Sequence, residues 1–228
     1  MITSRRGFKA LIIGGVALVL LTGLIGWMHT KSARPILAAL GVHCPVDDVS
    51  TAQVDALRTR GLAGMRGSAA APVRPAATGL ALDQTTEADV QAWAKTSGGT
   101  CETVVHGYRF LRCRGVDAKA LGVAGPAVSE LWLSFGTSGK LIGVDIYRRG
   151  LDAAGEVAAW SGATGKLQSQ LGKPPVAFGD PSPSALMAST YLTARVQYKY
   201  TDYIATVTAA NLPDVGLSVR EQYLSAKM

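Results

Sequence analysis

Residues 10–28 carry no charge at all, a run of roughly 19 apolar or small positions that nearly matches the ~20 a helix needs to cross a bilayer core. Beyond it the apolar positions recur with short periods. Ser50 is placed as an N-cap with Gln53 at the capping-box position, Val49 and Val54 have staple spacing, Val54 and Leu57 form an apolar face, and Gly61 is the expected stop. A second helix opens at Thr86, with Asp89 in the capping position, Val90 and Trp93 on one face, and Gly98 with Gly99 as terminator. Residues 151–171 repeat the helical period through Val157, Trp160, Leu167 and Leu171, closed by Gly172, Pro174 and Pro175. The stretch from there to Ser184 is rich in proline and glycine and is expected to be a loop.

Between and after these helices the period drops to two. A hairpin centred on Gly107 sets Val104 opposite Phe110, Glu102 opposite Arg112 and Cys101 opposite Cys113. Packing, charge and sulfur agree on that register. In the next hairpin Leu131, Leu133 and Phe135 alternate with polar positions, residues 136–139 turn, and Ile142, Val144 and Ile146 return the apolar face. The other face of this hairpin carries Trp132, Leu141 and Tyr147, which need cover from the chain or from a partner. Strands are expected at 192–200, 203–211 and 216–224, with a tight turn at Thr201 and Asp202. That turn sets Tyr198 opposite Ala205 and Val196 opposite Val207 on an inward face, and turns Arg195, Gln197 and Lys199 to solvent.

Although two hairpins are read in it, residues 86–147 are counted as a helix followed by three strands, the same unit that is read over 152–224. The expected fold is α+β: an N-terminal transmembrane helix followed by tandem helix-plus-three-stranded antiparallel units. The corresponding segments are 1–31, a cytoplasmic tip and anchor; 32–80, a juxtamembrane stretch, short helix and Pro/Ala/Gly linker; 81–150, the first unit; and 151–228, the second. The linker reading rests on residues 64–79, dominated by Gly, Ala, Pro and Ser.

Charge changes the picture mainly at the N-terminus. Arg5, Arg6 and Lys9 precede the apolar run and no acidic residue occurs before Asp47, a bias that holds the N-terminus in the cytoplasm and sends the rest outward, into the periplasm. Ser4-Arg5-Arg6-Gly7-Phe8-Lys9 also resembles twin-arginine export signals, which leaves twin-arginine and ordinary export both open. No small-x-small cleavage site closely follows Met28, so an uncleaved, single-pass inner-membrane anchor is expected. The net charge of +7 falls to +3 once Arg5, Arg6, Lys9 and Lys31 are set aside. The exported part has no basic stripe with interleaved aromatics, and nucleic-acid binding is excluded as an expectation.

Of the three cysteines, Cys101 and Cys113 are directly opposed in the hairpin and are expected to form a disulfide, which an oxidising compartment preserves. Cys44 is then the odd sulfur. His43 and Cys44 are adjacent rather than spaced as zinc ligands, and a redox or metal-handling role for the pair stands as an alternative. His106 falls at a hairpin tip. Asp47 and Asp48 suit a helix start through the macrodipole alone. No Gly-x-Ser-x-Gly occurs, and neither a catalytic set nor a cofactor is expected.

The phrase Leu82-Asp83-Gln84-Thr85-Thr86-Glu87-Ala88-Asp89-Val90, with Leu131-Trp132-Leu133-Ser134-Phe135 and Gly139-Lys140-Leu141-Ile142-Gly143-Val144, resembles the small outer-membrane assembly lipoproteins of the SmpA/OmlA (BamE) family. A tandem version of that unit is similar to the β-lactamase inhibitor proteins. The resemblance implies a periplasmic protein-binding module without catalysis. The expected contact residues are Trp132, Leu141, Tyr147, Tyr191 and Tyr223, with the seam between the two units as the competing place for these side chains. The function expected is a non-enzymatic, membrane-anchored subunit docking on a protein partner such as a larger membrane complex. An inhibitor or immunity-type protein is the second expectation.

Overall fold

The computed structural model describes residues 50–227 apart from Gly107 and Tyr191. The anchor, the juxtamembrane stretch, His29, His43, Cys44, Asp47 and Asp48 lie outside the described residues. Among the described residues no helix is long and apolar enough to cross a membrane.

Strands β1 (Thr100–His106), β2 (Tyr108–Arg114), β3 (Glu130–Phe135) and β4 (Leu141–Leu151) form one meander. β5 (Val176–Phe178), β6 (Thr193–Lys199), β7 (Tyr203–Leu212) and β8 (Gly216–Ser225) form another. The two meet where β4 pairs with β8, giving one eight-stranded antiparallel sheet in the order β1-β2-β3-β4-β8-β7-β6-β5. The fold is α+β, as expected, but each half contributes four strands rather than three. The extra strand of the second half is β5, three residues between the proline pair and Gly179. It is too short for any period to show.

The first hairpin has the expected register, Val104 opposite Phe110 and Cys101 opposite Cys113, and the two cysteines are bonded. β6 and β7 likewise pair Tyr198 with Ala205 and Val196 with Val207. Following the pairs across the sheet defines two faces. One collects Cys113, Leu131, Ile146, Val207 and Tyr223 and is closed by α3 (Ala153–Leu171), which packs on β4, β7 and β8. Leu131, Leu133, Val144 and Ile146 are fully buried there, each worth about 1.5–3 kcal/mol by removal from water. The other, outer face collects Phe110, Trp132, Asp145, Arg220 and Gln222.

Leu141 departs from the expected alternation. Phe135 pairs with Leu141 and Ser134 with Gly143, so Ile142 is an extra residue in β4. A bulge of this kind reverses the facing of everything beyond it. Leu141 is therefore turned into the core, fully buried, and its backbone is held by Thr85 and Asp83. Ile142 takes the outward place assigned to Leu141.

The helix starts are as read. Ser50 and Gln53 form a reciprocal capping box for α1 (Thr51–Ala63), and Thr86 and Asp89 another for α2 (Glu87–Thr96). The faces of two helices match only in part. α1 runs through Gly61 and closes at Gly64; its buried residue is Leu62, and Leu57 is 58% exposed. In α3 Leu167 is buried and Trp160 and Leu171 pack on the core as expected, but Glu156, Ala159 and Ala163 fill the rest of the buried side while Val157 points to solvent. Close approach explains the small residues, since Gly125 lies against the backbone of Ala159 and Gly162 against Ala124.

Residues 64–82 are not a free linker. The Ala71 N–H donates to Asp202, Thr201 N–H to the Ala69 carbonyl, Thr78 N–H to the Leu121 carbonyl, and the Tyr203 hydroxyl to the Pro75 carbonyl. This strap passes the β6–β7 turn so closely that a Cβ on Gly67 would stand 2.1 Å from the Lys199 carbonyl oxygen. Pro, Ala and Gly serve here to let backbone pack on backbone.

Glu156 is fully buried and neither carboxylate oxygen has a hydrogen-bond partner. Burial raises its pKa, so the folded state holds the neutral acid more strongly than the unfolded chain does. The stability this carboxyl leaves intact below the ordinary carboxylate range is lost as pH rises through the folded-state value. Glu156→Met is expected to add about 1–3 kcal/mol at pH 8 and less at pH 4. Urea unfolding at both values checks this, and an equal gain at both would contradict it.

Candidate functional site

α1 crosses the outer face of the sheet above the β3–β4 turn and the end of β8. Thr137 donates to Asp55 at 3.5 Å, the Arg58 guanidinium donates to the Ser225 carbonyl, and Leu62 packs on Ile204 and Ala226. The helix does not lie flush. Between it and the sheet runs an open groove of about 660 Å³, inside the ~300–1,000 Å³ range of ligand sites. Val54, Leu62 and Met65 form one wall, and Ile142 and Leu224 the other, closed at one end by the β3–β4 turn at residues 135–137.

Polar side chains enter the groove in pairs. On the floor, Arg220 Nε donates to Asp145 Oδ1 at 2.8 Å and Gln222 Nε2 to the same oxygen at 3.0 Å. Asp145 is buried, and that burial raises its pKa against the opposing effect of Arg220. On the rim, Arg109 grips Glu87 with two hydrogen bonds of 2.6 and 2.7 Å. Asp55 and Arg58 stand 3.8 Å apart on α1. Each carboxylate lining the groove thus faces an arginine that also lines it.

Gly61 opens onto the same space. It sits inside α1, where glycine costs roughly 0.5–1 kcal/mol relative to alanine, and an added Cβ would meet nothing within 4 Å. Gly61→Ala is therefore expected to raise stability by about that amount and leave the groove open. A thermal melt that fell instead would show that the glycine is needed for the helix path.

The residues expected at a contact surface divide. Trp132 and Tyr147 are on the outer face, half-buried, in a ladder. Phe110 stacks on Trp132 at 4.9 Å, Trp132 meets Tyr147 at 5.1 Å, and the Arg149 and Arg220 guanidinium groups lie 4.7 and 5.4 Å from the Tyr147 ring. The Trp132 indole donates to Glu130, whose pKa burial would raise but which this bond and Arg114 and Arg149 hold low. The cover these aromatics need comes from their own sheet. Arg220 joins the ladder to the groove floor. Leu141 and Tyr223 are buried on the core side and are corrected as surface residues; Tyr223 donates to Glu221 at 2.5 Å. Tyr191 lies outside the described residues.

Asp145, Arg220 and Gln222 were not singled out from the sequence. The trace they leave is an aspartate between Val144 and Ile146 in an apolar strand, and alternate polar positions in the last strand. Only the β4–β8 pairing brings them together. Among the described residues no group of three His, Cys, Asp or Glu side chains is arranged to hold a metal ion. Compared with protein-family models, curated proteins and solved structures, the chain matches none.

Proposed function

We propose that this chain is a non-enzymatic protein-binding subunit, held in the inner membrane by residues 10–28 with its folded domain in the periplasm, and that it docks on a larger membrane complex or an exported partner. The observation that carries the reading is the groove between α1 and the outer sheet face: apolar on two walls, self-compensated in charge, and open to solvent. Burying such a surface gains hydrophobic free energy without stranding a charge. The disulfide supports an oxidising location, and the arginines before the apolar run support the orientation. We read the two meanders as a tandem arrangement, in line with the resemblance of residues 82–90 and 131–144 to periplasmic assembly lipoproteins.

The test is capture of the tagged full-length protein from gently solubilised membranes. A stoichiometric protein partner, retained by wild type and lost from Gly61→Phe, is the expected result. A partner retained equally by both variants moves docking off the groove, and recovery of the protein alone in every detergent overturns the reading.

A further inference from the structure

We infer that the groove receives uncharged, apolar side chains from an extended segment of the partner polypeptide, an inference that rests on the binding-subunit reading. Three observations point to this occupant. The first is charge: Asp55 with Arg58, Glu87 with Arg109, and Asp145 with Arg220 leave no unmatched sign in the groove. An ionic ligand would have to displace one partner of a pair already made, and at Asp145 it would do so at a buried carboxyl, where an unpaired charge is costly. A neutral ligand meets no such penalty.

The second is shape. The groove has apolar walls on two sides and water on the third. An acyl chain laid there would keep one apolar flank in water along its length. An extended polypeptide places alternate side chains on opposite flanks, so apolar residues can enter while the others, and the backbone polar groups, stay toward solvent.

The third is the helix itself. Gly61 leaves open space at the groove wall, at a cost in helix stability that a wall filled by the chain itself would not need.

The experiment is a methyl-NMR titration of the full-length protein in lipid nanodiscs, reading Val54, Leu62, Ile142 and Leu224. The probes are a capped neutral peptide, acetyl-Gly-Leu-Ser-Leu-Gly-amide, whose two Leu share one flank when extended, its analogue with Glu in place of both Leu, and decanoate. The neutral peptide is expected to shift these methyls saturably, the acidic analogue at least tenfold more weakly, and decanoate not at all. Gly61→Ala should keep the response and Gly61→Phe lose it while remaining folded by its melt. Methyl shifts with decanoate but not with the neutral peptide, or with the acidic analogue as readily, or with no probe at all, would overturn the inference. If a partner still co-purifies in a Gly61-dependent way under any of those outcomes, the binding-subunit reading survives and only the ligand class falls.

Discussion

Arg148→Met is expected to lower stability by about 3–5 kcal/mol, the range for breaking a buried ion pair by removing one member. Arg148 sits on β4 on the core side and is fully buried. Its guanidinium donates to Glu221 Oε1 at 2.5 Å, to the Pro126 carbonyl at 3.1 Å and to the Ala124 carbonyl at 3.2 Å. Glu221, on β8, accepts from Tyr223 through its other oxygen. Burial raises the Tyr223 hydroxyl pKa well above its ordinary value, with the Glu221 charge adding to the effect, so the tyrosine is a fixed donor. Replacing Arg148 leaves the Glu221 carboxylate in the core without its cation and two loop carbonyls without a donor. Urea unfolding measures the loss. The double variant Arg148→Met, Glu221→Leu should recover much of it, because the stranded charge is then gone. A loss below 1 kcal/mol for the single variant would mean that this network does not hold the two meanders together.

Removing the disulfide ranks next. Cys101 and Cys113 are 12 residues apart, and a loop of that size contributes about 3 kcal/mol by restricting the unfolded chain. Because β1 is the edge strand, the effect should concentrate there: Cys101→Ser with Cys113→Ser is expected to lower the urea midpoint and speed hydrogen exchange in β1 and β2 first. Reductant should produce the same shift in wild type and none in the double variant. Equal midpoints for the oxidised and reduced wild type would contradict the expectation.

The first hairpin was legible because three independent signals, Glu102 with Arg112, Val104 with Phe110 and the two cysteines, fall on one register. Helix starts were legible for a similar reason, since a capping box is local and complete within four residues. What was misread needed contacts from far along the chain. Leu141 follows strict alternation in the sequence, and only the pairing of Phe135 with it shows the extra residue. Val157 is more apolar than Ala159, yet the close approach of residues 124 and 125 selects alanine for the buried side of α3. Composition cannot separate a free Pro/Ala/Gly linker from a strap packed backbone to backbone, as residues 64–82 are. The groove was invisible for the same cause: its walls come from residues 54–65, 135–142 and 224, and its floor from β4 and β8. No short window of sequence contains two of its walls.

Docking through the groove is the central claim, and in-cell photo-crosslinking tests it most directly. Benzoylphenylalanine is placed in the full-length protein at Val54, on the groove wall, and separately at Ala56, exposed on the opposite side of the same helix. The account predicts one discrete protein adduct from position 54, lost when Gly61→Phe is added, and none from position 56. No adduct from position 54, or the same adduct from both positions, would contradict it.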